Sequence, residues 1–154
     1  MTGASRIRAA RADECALLTR LALRSKASWG YSEQFMAACV AELTISATDI
    51  DSGLYFVLES HGQVIGLCSL LESGKQMGEL AHVYIDPEHQ REGHGQQLVE
   101  HAKSVARKLG WRRLRVESDP NAMEFYRHCG GIEIGTAPSG SVAGRQLPLL
   151  EISL

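Results

Sequence analysis

No stretch of the chain approaches the roughly 18 uninterrupted apolar residues that a membrane-spanning helix needs, and Arg6 and Arg8 have no apolar run behind them. Neither export nor a membrane anchor is expected, and the expected location is cytoplasmic. The four cysteines, Cys15, Cys39, Cys68 and Cys129, have no CxxC spacing, which argues against a zinc site or a disulfide-stapled scaffold and for reduced thiols. No metal is expected. Neither sign of charge dominates: 16 Lys and Arg face 18 Asp and Glu, a formal net charge of −2, so nucleic acid is not an expected partner. There is no internal repeat, and no Pro/Gly/Ser-rich linker divides the first 130 residues. The 154 residues therefore read as one domain, 1–154.

What is present is hydrophobic periodicity that switches between helix and strand. Arg6 to Ala9 reads as a short strand, and Asp13 is placed to cap a helix carrying Leu17, Leu18, Leu21 and Ala22. Ser32 opens a second helix with Phe35, Met36, Cys39, Val40 and Leu43 as its apolar stripe. Leu54 to Leu58 and Val64 to Leu71 form a hairpin about His61-Gly62. Glu79 to Ile85 is a third strand, stopped by Asp86-Pro87. A helix then carries Leu98, Ala102, Val105 and Leu109, and ends at Gly110. A short strand at 114–117, a short helix through Phe125 and Tyr126, a strand from Ile132 and a last strand from Leu147 complete the order β-α-α-β-β-β-α-β-α-β-β.

The chemistry is concentrated where the third strand gives way to a helix, at Gln90-Arg91-Glu92-Gly93-His94-Gly95. Successive backbone N–H groups there face one point. Two glycines remove Cβ atoms that would hold an anion away, and the helix N-terminus adds partial positive charge. A dinucleotide-binding fingerprint would need glycine at position 98, where Leu98 stands, and a P-loop would need Gly-Lys-Ser/Thr. Both alternatives fail on residues.

Preceded by Val83-Tyr84-Ile85-Asp86-Pro87, this turn resembles the acetyl-CoA signature Q/R-x-x-G-x-G/A of the GNAT superfamily of N-acetyltransferases. Asn121-Ala122-Met123-Glu124-Phe125-Tyr126, followed by Gly130-Gly131, resembles the family's later segment, although Asn121 stands one place closer to Phe125 and Gly131 replaces a frequent aromatic. The resemblance implies an α/β (α+β) fold, with a central, mixed, mostly antiparallel sheet of six to seven strands flanked by helices. It implies acetyl-CoA as co-substrate, with the backbones of Val83 and Ile85, beside Tyr84, pairing with the pantetheine arm. Gln90, Arg91, Glu92, Gly93, His94, Gly95 and Gln96 would take the pyrophosphate, with Asn121 and Tyr126 on the opposite wall.

The resemblance also implies roles for two side chains. Glu79 matches the position of a catalytic glutamate, with His82 on the same strand as a rival base. In an unbroken strand these two lie on opposite faces, a rule that a bulge would blur. Tyr126 matches a tyrosine that protonates the departing thiolate; otherwise it is a core tyrosine beside Phe125. Cys129 is read as a small buried thiol rather than an acyl carrier. Trp29 and Tyr31, with Ser141 and Arg145 from the loop 137–145, are candidates to border the acceptor, the alternatives being core closure and a solvated loop. These stretches resemble a bacterial subgroup of the family and name no acceptor.

Two functions follow. One is transfer of acetyl from acetyl-CoA to a primary amine of a small molecule by direct attack in a ternary complex. The alternative is a non-catalytic acyl-CoA-binding sensor or partner domain. Exposed sheet edges leave a homodimer open.

Overall fold

The computed structural model describes residues 5–154. Seven strands, β1 (Arg6–Ala9), β2 (Tyr55–Ser60), β3 (Gln63–Gly74), β4 (Met77–Ile85), β5 (Arg113–Glu117), β6 (Gly131–Pro138) and β7 (Gln146–Ser153), form one sheet in the order β1-β2-β3-β4-β5-β7-β6. Every neighbouring pair is antiparallel except β4–β5. The helices are α1 (Cys15–Ala27), α2 (Glu33–Leu43), α3 (Ala47–Asp51), α4 (His94–Lys108) and α5 (Met123–His128). No helix among the described residues is long and apolar enough to cross a membrane.

The expected order holds, with α3 added. Its five residues are too few to show a period, but Ser46 caps it by accepting from the Asp49 N–H while Asp49 accepts from the Ser46 N–H. Asp13 does not cap α1. Ala12–Glu14 forms a 3-10 turn instead, and Glu14 bonds the Arg11 N–H and pairs with Arg8 at 2.8 Å. Ser32 caps α2 by accepting from the Phe35 N–H. His61 and Gly62, with φ of 51° and 75°, make the two-residue turn that joins β2 to β3.

α4 packs on one face of the sheet, burying Leu98, Val99, Ala102 and Ala106 against Leu58, Ile65, Cys68, Leu70, Leu80 and Leu114. Val105 is half-buried there, while Leu109, expected on the stripe, is exposed at the helix end. On the other face α1 buries Leu18 and Leu21 against Val57 and Leu67, and Ala22 meets Cys39 and Leu43 of α2. The expected stripes are narrower than drawn, since Leu17 and Val40 are exposed.

Two irregularities in β4 create the site. Its register with β3 pairs Ser69 with His82 but Leu70 with Leu80, leaving Ala81 as an extra residue, a β-bulge. Its parallel pairing with β5 consists of three rungs, Met77↔Arg113, Gly78↔Leu114 and Glu79↔Arg115. Beyond Glu79 the two strands diverge. Gly78 fits this junction because the Trp111 ring lies against it, where a Cβ would come within 2.1 Å of a ring carbon.

Candidate active site

The divergence of β4 from β5 leaves a row of β4 backbone groups without a partner strand. Asp86 donates its N–H to Ile65 O at 2.8 Å, so strand alternation turns the N–H and C=O groups of Val83 and Ile85 away from β3, into the gap. The gap opens into a cleft of about 360 Å³ that Val83, Tyr84 and Ile85 all line. The Gln90 side chain reaches back to Ile85 O at 3.4 Å, partly satisfying that carbonyl.

Glu79 stands at the fork, on the last rung shared with β5, half-buried. The strand is not unbroken: the bulge at Ala81 is the irregularity that suspends the rule placing Glu79 and His82 on opposite faces. Glu79 pairs with Leu71 and His82 with Ser69, two residues apart on β3, so both side chains lie on one face, and both line the cleft. Burial raises the Glu79 pKa, and the carboxylates of Glu117 and Glu42 raise it further. Burial lowers that of His82, whose Nδ1 is enclosed without a hydrogen-bond partner among the described residues.

At the turn, Arg91 has φ of 65° and Gly93, capping α4, has φ of 85°. These left-handed residues fold the chain tightly onto the helix N-terminus, which carries its own partial positive charge. Gly95 sits against Phe125, whose ring carbons would be 2.9 and 3.0 Å from an added Cβ. Of the residues read as holding the pyrophosphate, Gln90, Arg91 and Gly95 line the cleft; Glu92, Gly93, His94 and Gln96 belong to the same turn but not to the lining.

The far wall is built on Asp119, a residue the sequence did not single out. Asp119 accepts from the Tyr31 hydroxyl at 2.7 Å, from Lys26 Nζ at 3.1 Å, and from the Asn121 N–H and Nδ2, each at 2.9 Å. Burial pushes its pKa up, but these donors together outweigh that and hold it below the ordinary range. Asn121 lines the cleft with its amide engaged by Asp119 and by Tyr31 Oη at 3.2 Å. Tyr126 also lines the cleft, only 7% exposed, and burial raises its pKa so that it stays a neutral phenol. Cys129 is buried and not part of the lining; burial raises its thiol pKa, which opposes a thiolate nucleophile.

The expected acceptor residues separate. Trp29, half-exposed, and Ser141 and Arg145 line the cleft. Tyr31 does not: it stacks on Phe35 with ring centroids 4.1 Å apart, and its hydroxyl also takes a bond from Arg145 at 2.9 Å. Arg145 is thus committed to Tyr31 and, at 3.9 Å, to Asp119. The Ser141 hydroxyl bonds to Glu42. Glu42, Glu79 and Glu117 all line the cleft, and none has an ion-pair partner among the described residues. Glu42 and Glu117 left no signal in the sequence, because α2 and β5 each read as an ordinary element with a polar edge.

A model of the acetyltransferase (GNAT) family matches residues 20–131. An amino-acid acetyltransferase of Pseudomonas putida (strain GB-1) is 33% identical over 101 residues, 65% of this chain and 21% of that protein, so the chain spans about a fifth of that relative's length. Among solved structures, the PaiA N-acetyltransferase of Thermoplasma acidophilum in complex with coenzyme A superposes with a TM-score of 0.82 at 19% identity, covering 98% of this chain and 99% of that one. N-acetylglutamate synthase of Neisseria gonorrhoeae, complexed with coenzyme A and N-acetyl-glutamate, gives 0.71 at 22% identity over 100% of this chain and 36% of its own. These superpositions speak to the fold, and the family model, spanning most of the chain, makes the protein a member of the acetyltransferase (GNAT) family.

Proposed function

We propose that the protein transfers the acetyl group of acetyl-CoA to a primary amine of a small, cationic acceptor by direct attack in a ternary complex. The observation that carries this reading is the fork between β4 and β5, where the free backbone groups of Val83 and Ile85 lead toward Glu79. Family membership supports the acyl donor. The pantetheine arm would lie along Val83 and Ile85, and the pyrophosphate against the N–H groups of the turn.

An alkylamine with a pKa near 10.4 is almost wholly protonated at pH 7, so a base is needed before nitrogen can attack. Glu79, with its pKa raised by burial and by two neighbouring carboxylates, is a stronger base than an exposed glutamate. It takes one proton from the ammonium, and the neutral nitrogen then bonds to the thioester carbonyl carbon, whose oxygen accepts the C=O electron pair. When that intermediate collapses, the C–S bond breaks and Tyr126 supplies a proton to the leaving sulfur. The carboxylates of the cleft support a cationic acceptor. Glu42, Glu79 and Glu117 have no ion-pair partner among the described residues, while of the three cations that line the cleft Lys26 and Arg145 are held by Asp119 and Tyr31 and Arg91 belongs to the turn proposed to take the pyrophosphate.

The test measures thiol release from acetyl-CoA with diamines, aromatic monoamines and amino acids, alongside coenzyme A binding by calorimetry. Turnover is expected, fastest with diamines. Binding without turnover across all classes would support the acyl-CoA sensor instead. Turnover restricted to amino acids would reject the cationic acceptor while leaving acyl transfer in place.

A further inference from the structure

The turn carries three neighbouring side chains, on His89, Glu92 and His94, that lie outside the cleft lining. His89 ends the 3-10 turn Pro87–His89, Glu92 lies between the two left-handed residues, and His94 opens α4. His89 Nδ1 lies 3.4 Å and His94 Nε2 3.8 Å from the same oxygen, Glu92 Oε1, and the three donor atoms all fall within 4.8 Å of one another. We propose that His89, Glu92 and His94 bind one transition-metal dication of the Zn²⁺ class.

Both separations exceed an N–H···O hydrogen bond of about 2.7–3.2 Å. They suit ligands sharing a metal better: at bonds of about 2.0–2.1 Å, tetrahedral donors stand roughly 3.3–3.4 Å apart. The His89–Glu92 pair is already at that spacing. The His94–Glu92 contact must shorten by a few tenths of an ångström, which a carboxylate side chain 54% exposed supplies by rotation, and the two histidine nitrogens, within 4.8 Å of each other, must also draw together by rotation of the rings. The histidine side chains are less exposed, 35% for His89 and 17% for His94, so they are partly held in place.

The donor set selects the ion. Two imidazoles and one carboxylate suit Zn²⁺, Co²⁺, Ni²⁺ or Cu²⁺ rather than the all-oxygen shells of Mg²⁺ or Ca²⁺. The positive end of α4 opposes a cation here, so strong nitrogen donors are required and the Glu92 carboxylate offsets the helix. Arg91 and Gly93, with φ of 65° and 85°, fix the curl of the backbone on either side of Glu92, so little chain ordering remains to be done on binding. A metal here would brace the turn by tying three of its side chains together. The inference uses the side chains of the turn whose backbone N–H groups are proposed to take the pyrophosphate, and it does not rest on that reading.

The untagged full chain, stripped with a chelator, is titrated with ZnCl₂ by calorimetry and with CoCl₂ by visible absorption. One equivalent of Zn²⁺ per chain is expected. His89→Ala, His94→Ala and Glu92→Gln should each weaken it at least tenfold, with melting of the metal-free protein unchanged. Cys15→Ser, removing the half-exposed thiol, should bind normally. If His94→Ala fails to fold, His89→Ala and Glu92→Gln decide. Absence of both heat and a cobalt band overturns the proposal, as does equal binding by the wild type and the His89 and Glu92 variants.

Discussion

The Tyr31 hydroxyl donates to Asp119 Oδ2 at 2.7 Å, joining the loop after α1 to the turn before α5 across 88 residues of sequence. The same hydroxyl receives bonds from Arg145 and Asn121, so one phenol holds together three walls of the cleft. Tyr31 acts as a strut behind the cleft, and Trp29, two residues earlier, lines it.

Tyr31→Phe removes this node while keeping the stack on Phe35. Loss of a bond to a charged, half-buried carboxylate costs about 2 kcal/mol, which for a domain of this size lowers Tm by roughly 4–8 °C. The deficit depends on pH. Asp119 has a folded pKa below its unfolded value, so the stabilisation is complete above the unfolded value of about 3.9 and is lost as pH falls through the folded one. Thermal melts should therefore separate variant and wild type at pH 7 and converge below about pH 4. A gap that persists unchanged into acid would assign the loss to packing.

Glu79→Gln tests the base. A positioned general base is worth about 10²–10⁴ in rate, and kcat/KM should fall by that order. Because the Glu79 pKa is raised, wild-type activity should rise with pH along a limb above the ordinary carboxylate value of about 4.3, and that limb should vanish in the variant. His82→Ala, on the same face, should cost less than Glu79→Gln. The reverse ranking would make His82 the base.

The order of elements, the hairpin turn and the glycine turn were all legible in the sequence, because each rests on residues within about ten positions of one another. The face of Glu79 was not. Alternation assigns it from strand period alone, and the single extra residue at Ala81 inverts that assignment without leaving any mark in the composition of 79–85. The Asp119 network was hidden for a different reason: Lys26, Tyr31 and Arg145 are brought to it by the topology, from helix, loop and loop. α3 escaped because one turn of helix has no period to read, although its capping pair was there.

Tyr126→Phe separates proton donation from packing. The ring is buried among the residues beneath α4 and α5, and phenylalanine fills the same space. Melting should stay within about 2 °C of wild type, since a Tyr-to-Phe change here leaves the ring's burial intact. Turnover should fall about 10²-fold, the lower end for a positioned proton donor, with coenzyme A affinity retained. Unchanged turnover would return Tyr126 to a purely structural role.

Gly93 and Gly95 make different demands, and single substitutions separate them. At Gly93 an added Cβ meets nothing within 4 Å, but its φ of 85° strains any side chain by roughly 1–2 kcal/mol. Gly93→Ala should therefore lower Tm by about 2–8 °C and weaken coenzyme A binding only through the shape of the turn. At Gly95 the backbone is helical, and the added carbon would press on the Phe125 ring at 2.9 and 3.0 Å. Gly95→Ala pushes that ring, which lines the cleft opposite the turn, and should weaken coenzyme A binding more than Gly93→Ala for a similar loss of stability. Adding Phe125→Leu to Gly95→Ala frees the space and should recover affinity. If the double variant binds no better than Gly95→Ala, the clash is not the cause, and the glycine is needed for direct approach of the ligand to the backbone.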